Sequence, residues 1–154
     1  MDTHEHEHFE AGDNTALVCV DQQDYQKALV PDLIDLSYKV HLGLYEDDVL
    51  LKLRTYSYNV VVIYENFNGS TLATNPLLQD MARRPGTQRR DFFVILLTHR
   101  FATNDAMSAF IQSVDLIMNV ADLANFKAVL RRGTAQHRDT YAPFLSTLKT
   151  AQTM

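Results

Sequence analysis

The stretch Asn59-Val60-Val61-Val62-Ile63-Tyr64-Glu65-Asn66-Phe67-Asn68-Gly69 decides the fold. Its run of β-branched side chains predicts a strand, and the Asn and Gly after it predict a turn. The strand is apolar at every position instead of at alternate ones, so both of its faces must be covered. The same signal recurs on either side. Thr15–Val20 runs into Asp21-Gln22-Gln23-Asp24, and Phe92–Thr98 runs into His99-Arg100. Short strands of this kind belong to a parallel sheet with helices packed on both faces.

The intervening segments carry helical spacing. Tyr25, Ala28, Leu29, Leu33 and Leu36 predict a helix over 24–38, with Pro31 either kinking it or delaying its start. A second strand is expected over 40–44. A helix capped by Asp47 or Asp48 should then carry Val49, Leu50, Leu53 and Tyr56. Pro76 suits the first turn of a helix over 76–84, which Pro85-Gly86 ends. A short helix over 105–113 and a strand over 116–120 come next. Asp122 is expected to cap a last helix carrying Leu123, Phe126 and Leu130. Alternating strands and helices make an α/β, flavodoxin-like, doubly wound five-stranded parallel sheet of order 2-1-3-4-5, with an extended C-terminal helix. Any site in such a sheet lies at the carboxyl ends of the strands. That rule selects Asp21, Tyr64, Thr98 and Asn119.

Composition narrows the function classes. The 154 residues suit one domain, with 46% apolar and 21% charged side chains, as in ordinary globular proteins. Net charge is −5, against a nucleic-acid partner, and the basic pairs Arg83-Arg84, Arg89-Arg90 and Arg131-Arg132 are too short to reverse that. No apolar run reaches the roughly 20 residues a membrane helix needs. The acidic, His-rich start is unlike a signal peptide, and the lone Cys19 sits in an apolar strand; a cytoplasmic protein is expected. His4, His6 and His8 alternate with Glu5 and Glu7. In an extended segment they would share a side and could bind a transition metal, against the plainer reading of a flexible acidic tail. There is no Gly-rich phosphate loop, no Gly-x-Ser-x-Gly elbow and no Cys–His pair in plausible reach, so neither a cofactor nor enzymatic activity is expected.

The strand-end residues resemble those of bacterial response-regulator receivers, the CheY-like superfamily, over about residues 15–132. A receiver has two acidic residues after its first strand, an acceptor aspartate ending the third, a Ser or Thr ending the fourth and a lysine ending the fifth. Carboxylates hold Mg²⁺, the aspartate takes the phosphoryl group, and hydroxyl and ammonium stabilise its oxygens. Carried across, Asp21 and Thr98 match. Gln22 replaces the second acidic residue, Asn119 replaces the lysine, and Val120 stands next to it where proline is usual. The distance to Gly69 puts Tyr64 at the acceptor position, whereas a register shifted by one puts Glu65 there. A phenol is neutral near pH 7 and forms no acyl phosphate, and a glutamate would rather imitate a phosphorylated aspartate. The resemblance thus implies a degenerate, non-phosphorylatable receiver acting as a bacterial signalling module through protein contacts. Its alternatives are an unconventional receiver using Glu65, a small-ligand pocket at Asp21 and Thr98, or, least favoured, an enzyme on the flavodoxin-like fold.

A closer similarity is to receiver-like domains of proteobacterial zinc-ribbon proteins of unassigned function. It rests on Tyr64-Glu65-Asn66-Phe67-Asn68-Gly69-Ser70, on Arg89-Arg90-Asp91-Phe92-Phe93-Val94-Ile95-Leu96-Leu97, and on Ala109-Phe110-Ile111-Gln112-Ser113-Val114-Asp115-Leu116. One cysteine excludes a zinc ribbon in this chain. Three segments are expected: a disordered His/Glu-rich lead-in over 1–14, the receiver-like domain over 15–132, and a C-terminal helical extension over 133–154. In the last, Tyr141, Phe144, Leu145 and Leu148 recur three or four apart around Pro143. This stripe either packs back on the domain or joins the last strand and helix face in contacting a protein partner or a second copy.

Overall fold

The apolar runs form strands where expected, and every crossover between them carries at least one helix. The computed structural model describes residues 9–89 and 91–137. Strands β1 (Asn14–Cys19), β2 (Tyr38–Leu42), β3 (Val60–Tyr64), β4 (Phe93–Thr98) and β5 (Leu116–Asn119) make one sheet of order β2-β1-β3-β4-β5, with every pairing parallel. This is the expected doubly wound order. Helix α1 (Gln23–Asp35) packs on one face beside the 3₁₀ turn Val120–Asn125, and α2 (Glu46–Thr55) meets α3 (Pro76–Arg83). A short α4 (Gly86–Arg89) and α5 (Ala106–Gln112) precede β4 and β5, and α6 covers 126–137.

Every residue of β3 and β4 is buried, from Val60 to Tyr64 and from Phe93 to Thr98. Each large aliphatic side chain sequestered there contributes about 1.5–3 kcal/mol of transfer free energy. Outer helices contribute their apolar faces: Leu29 and Leu33 from α1, Val49 and Leu53 from α2, Leu77, Leu78 and Met81 from α3. Cys19 is wholly buried, and burial pushes its thiol far above the ordinary range, as suits a core residue.

Several boundaries move for identifiable reasons. Helix α1 begins at Gln23 and runs through Pro31; Pro31 and Lys27, whose carbonyl loses its donor, are both exposed, so water reaches the gap. Ser37 takes a positive φ of 70° after α1, so β2 starts at Tyr38 and ends at Leu42 instead of covering 40–44. Gly43 then passes so close to α2 that a Cβ there would collide with Val49 Cγ2. Neither Asp47 nor Asp48 caps α2: Tyr45 occupies the cap without a side-chain bond, and both aspartates sit in the first turn, favourable to the helix dipole. Asp122 is not a cap either. It accepts a 2.6 Å hydrogen bond from Thr103 Oγ1, and Asn119 caps the turn instead.

Residues beside the expected segment boundaries make defined contacts. Residues 9–13 are folded against the domain. Phe9 stacks on buried His41 at 4.0 Å, His41 Nδ1 is hydrogen bonded to Tyr58 Oη at 2.8 Å, and Asp13 pairs with Lys39 at 3.0 Å. The Glu10 amide and then Lys39 hold the Asp13 carboxyl below its ordinary range. The boundary drawn between 132 and 133 falls inside α6, where Gly133 lets the helix approach Phe93. His4, His6 and His8, and Tyr141, Phe144, Leu145 and Leu148, lie outside the described residues. No helix among the described residues is long and apolar enough to cross a membrane.

Candidate functional site

The carboxyl ends of β1, β3, β4 and β5 bring the expected residues to one edge, but at a register the sequence left open. Tyr64 pairs with Leu97, Thr98 pairs with Asn119, and the Glu65 amide continues the ladder by donating to Leu97 O at 3.0 Å. Glu65 therefore lies level with Thr98 and Asn119. Cys19 pairs with Ile63, so Asp21, two residues on, lies at the level of Glu65 as well. Tyr64 sits one rung below, with its side chain on the opposite face. Of the two residues the sequence left open, Glu65 lies level with Thr98, and Tyr64 lies one rung earlier.

Tyr64 turns toward α1. Its ring meets that of Tyr25 edge-on at 5.4 Å, and its hydroxyl is hydrogen bonded to His99 Nε2 at 2.7 Å. Burial, and after it the neighbouring Tyr25 and Glu65, pushes the phenol pKa up to about 12. The group is a neutral hydrogen-bonding hydroxyl at any physiological pH.

Glu65 is 2% exposed. Its Oε1 accepts the His99 backbone N–H at 2.6 Å, and its Oε2 has no hydrogen-bond partner. The guanidinium of Arg100, 62% exposed, reaches to 3.7 Å of Oε2, an ion-pair distance rather than a hydrogen bond. Thr98 Oγ1 accepts the Arg100 amide at 3.0 Å. One tight turn after β4 therefore delivers its amides to Glu65 and Thr98.

Asp21 and Asn119 are also engaged within the fold. Asp21 Oδ2 accepts the Asn68 N–H at 3.0 Å, while its buried Oδ1 has no partner. Gln22 is exposed and only starts α1 through its carbonyl, so it does not join the cluster. Asn119 Nδ2 donates to Phe101 O at 2.8 Å, and its Oδ1 accepts the Ala121 N–H at 2.9 Å. The side chain at the lysine position is thus occupied in closing one loop and starting the next turn.

Two asparagines that the sequence reading passed over fix these loops. Asn68, in left-handed backbone at φ 53°, receives the Glu46 N–H on Oδ1, donates from Nδ2 to Leu44 O, and gives its own N–H to Asp21. It ties the loops after β1, β2 and β3 together. Asn75 is fully buried and caps α3 by accepting from Leu77 and Leu78, while its Nδ2 donates to the carbonyls of Tyr64 and Glu65. The Asn75-Pro76 pair is a helix-start signature that a reading centred on strand ends overlooked. Nothing in the sequence signals the reach of Asn68.

These residues do not fit the Mg²⁺ site of a receiver. Among the described residues no three His, Cys, Asp or Glu side chains are grouped to hold a metal ion. Asp21 and Glu65 each keep one bare oxygen, but the second acidic ligand is replaced by the exposed Gln22, and the Arg100 guanidinium stands 3.7 Å from Glu65 Oε2.

With that geometry in hand, the comparisons with known proteins are informative about the fold. No protein-family model and no curated protein matches the chain. Solved structures do. The signal receiver domain of a DNA-binding response regulator from Colwellia psychrerythraea superposes with a TM-score of 0.62 at 15% identity, over 78% of this chain and 97% of that one. The chain has the fold of a response-regulator receiver domain. A chemotaxis response regulator of Vibrio cholerae (TM-score 0.57, 16% identity, 79% and 98% covered) and an orphan response regulator of H. pylori (0.59, 11%, 79% and 97%) carry the same receiver fold. At these identities the match concerns the fold, and the chemistry of the site has to be argued from the residues.

Proposed function

We propose that this chain is a pseudo-receiver, a signalling module that works through protein contacts and is not switched by phosphorylation. One observation carries the reading: the side chain level with Thr98 is a buried glutamate whose Oε1 is already held by the His99 amide. The permanent carboxylate occupies the place a phosphoryl group would need. The position where a receiver supplies an ammonium is filled by Asn119, whose two polar atoms are spent on Phe101 and Ala121. On this reading the chain is also not an enzyme. Its hydroxyl–imidazole pair, Tyr64 with His99, has its phenol shifted away from ionisation, the wrong direction for a nucleophile. The contact surface is the face of α5, β5 and α6, where Met107, Phe110 and Ile111 stand exposed.

The test is incubation of the full chain with acetyl phosphate and Mg²⁺, then intact-mass measurement. The expected result is an unchanged mass. A hydroxylamine-labile gain of one phosphate that disappears in Glu65→Gln would overturn the reading and make Glu65 an acceptor.

A further inference from the structure

Two carboxylates meet at the carboxyl edge of the sheet with fewer donors than they can use. Asp21 and Glu65 lie level on the adjacent strands β1 and β3, and each has one oxygen bonded to a backbone amide. Asp21 Oδ1 and Glu65 Oε2 are sheltered from solvent and have no hydrogen-bond partner. Glu65 as a whole is buried, and a carboxylate in that position requires a cation or a full set of donors. The end of β5 supplies neither, because both polar side-chain atoms of Asn119 are engaged with Phe101 and Ala121.

One basic side chain is placed to supply the charge. Lys39, Lys52, Arg84, Arg89 and Lys127 are each paired with an aspartate elsewhere. Among the described residues only Arg100 forms an ion pair with Asp21 or Glu65. Backbone bonds fix where this side chain starts. The Arg100 N–H donates to Thr98 Oγ1 at 3.0 Å, and the His99 N–H before it donates to Glu65 Oε1 at 2.6 Å. Arg100 Nε then stands 3.7 Å from Oε2. Glu65 is thus bracketed, with an amide at one oxygen and a guanidinium at the other.

The guanidinium is otherwise open to water. Arg100 also lines a groove of about 240 Å³ with Thr71, Leu72, Ala73 and Gln112. Its charge therefore stays partly hydrated while it compensates a buried carboxylate, and a guanidinium keeps that charge at every physiological pH. A divalent ion would have to displace this arrangement. Mg²⁺ takes oxygen ligands at about 2.1 Å in near-octahedral geometry and keeps several waters. Here Oε1 is held by His99, Oε2 faces a guanidinium, and exposed Gln22 starts α1 by accepting the Gln26 N–H. An ion at Oε2 would also stand beside a like charge.

We propose that Arg100 is the resident counterion of this edge, taking the place a divalent ion holds in a receiver, so that the edge is held together without Mg²⁺. A phosphate gain in the mass measurement would overturn the pseudo-receiver reading. Mg²⁺ binding without such a gain would overturn this role of Arg100 and leave that reading standing.

Two measurements on the full chain test it. Thermal unfolding is followed in about 10 mM MgCl₂ against NaCl of equal ionic strength. The midpoint is expected to agree within about 1 °C, whereas an ion bound well below that concentration raises it by several degrees. In urea, Arg100→Gln lowers the unfolding midpoint by on the order of 0.5 M, and Arg100→Lys, which keeps the charge, by less than half of that. In the Glu65→Gln background, Arg100→Gln also moves the midpoint by less than half as much, because the charge it served is gone. A Mg²⁺-dependent rise that Asp21→Asn abolishes overturns the proposal, and it needs no folded Glu65 variant to be seen. So does an Arg100→Gln cost that is undiminished in the Glu65→Gln background.

Discussion

Replacing Asn119 by the lysine of a working receiver should weaken the protein instead of restoring a switch. Asn119 is half-buried, and its side chain makes two hydrogen bonds, to Phe101 O at 2.8 Å and from Ala121 N at 2.9 Å. Losing the second removes a cap, at a cost of about 1 kcal/mol within a range of roughly 0.5–2. Losing the first leaves the Phe101 carbonyl without its donor, about 1 kcal/mol more. A lysine cannot accept from the Ala121 amide, and its charge at the start of a helical segment is adverse by about 0.3–1 kcal/mol. The sum for Asn119→Lys is a loss of about 2–3 kcal/mol. Asn119→Asp keeps the acceptor and loses only the donor, so it should fall between wild type and Asn119→Lys, with Asn119→Ala close to the lysine variant. Urea unfolding at unchanged slope reads this directly: with a slope of about 1–3 kcal/mol/M, the midpoint of the lysine variant moves down by on the order of 1 M. A lysine variant within about 0.5 kcal/mol of wild type would refute the assignment of Asn119 as a structural cap. The lysine position would then not have been given over to the fold.

Two further outcomes are set by the packing. Tyr64 ionises near pH 12 in the fold against about 10 in the unfolded chain. Between those values the native state holds a proton that the unfolded state has lost, so the stabilisation is complete below pH 10 and falls away as pH rises to 12, by on the order of 2 kcal/mol. Tyr58, pushed up by burial still further, acts in the same direction. Tyrosinate absorbance should therefore show late-titrating phenols, with one fewer in Tyr64→Phe; loss of all tyrosine protons near pH 10 in the folded protein would contradict this. At Gly43 a methyl group collides with Val49 Cγ2, so Gly43→Ala should cost about 1–3 kcal/mol by overpacking. The double variant with Val49→Ala should lose less than the two single costs added, and strict additivity in chemical denaturation would show that the contact does not exist.

The fold was legible because its signal is carried by uninterrupted apolar runs. Val60–Ile63 and Val94–Leu97 are compatible with little except strands covered on both faces, and the helices between them leave one sensible winding. Element ends were less legible, since a single left-handed residue such as Ser37 moves a strand by two positions without any change in hydrophobic pattern. The site was legible as a set of strand ends and illegible in its internal wiring. Whether Tyr64 or Glu65 faces the edge depends on one rung of β3 against β4, and both strands are apolar at every position, so no alternation marks the phase. The bond from His99 to Glu65 joins residues 34 apart, beyond any local signal. Asn119 was readable in principle, as an asparagine just before a helical start, but the carboxylate of Asp122 is the more conspicuous cap candidate and drew the assignment away.

The wiring also explains why the edge holds together with two carboxylates and no ammonium. Asp21 and Glu65 are neighbours on adjacent strands, and burying both would cost several kcal/mol if each faced the other bare. Each instead takes one backbone amide at close range, from Asn68 at 3.0 Å and from His99 at 2.6 Å, and Arg100 adds a charge from the rim. Amides do not dissociate and do not titrate, so donors of this kind hold the edge in one electrostatic state. A working receiver needs the opposite, with donors left open until the phosphoryl group arrives. Under the proposed pseudo-receiver reading, contact with a partner is therefore made at a surface away from this edge. Met107, Phe110 and Ile111 on α5 are exposed apolar side chains at such a surface.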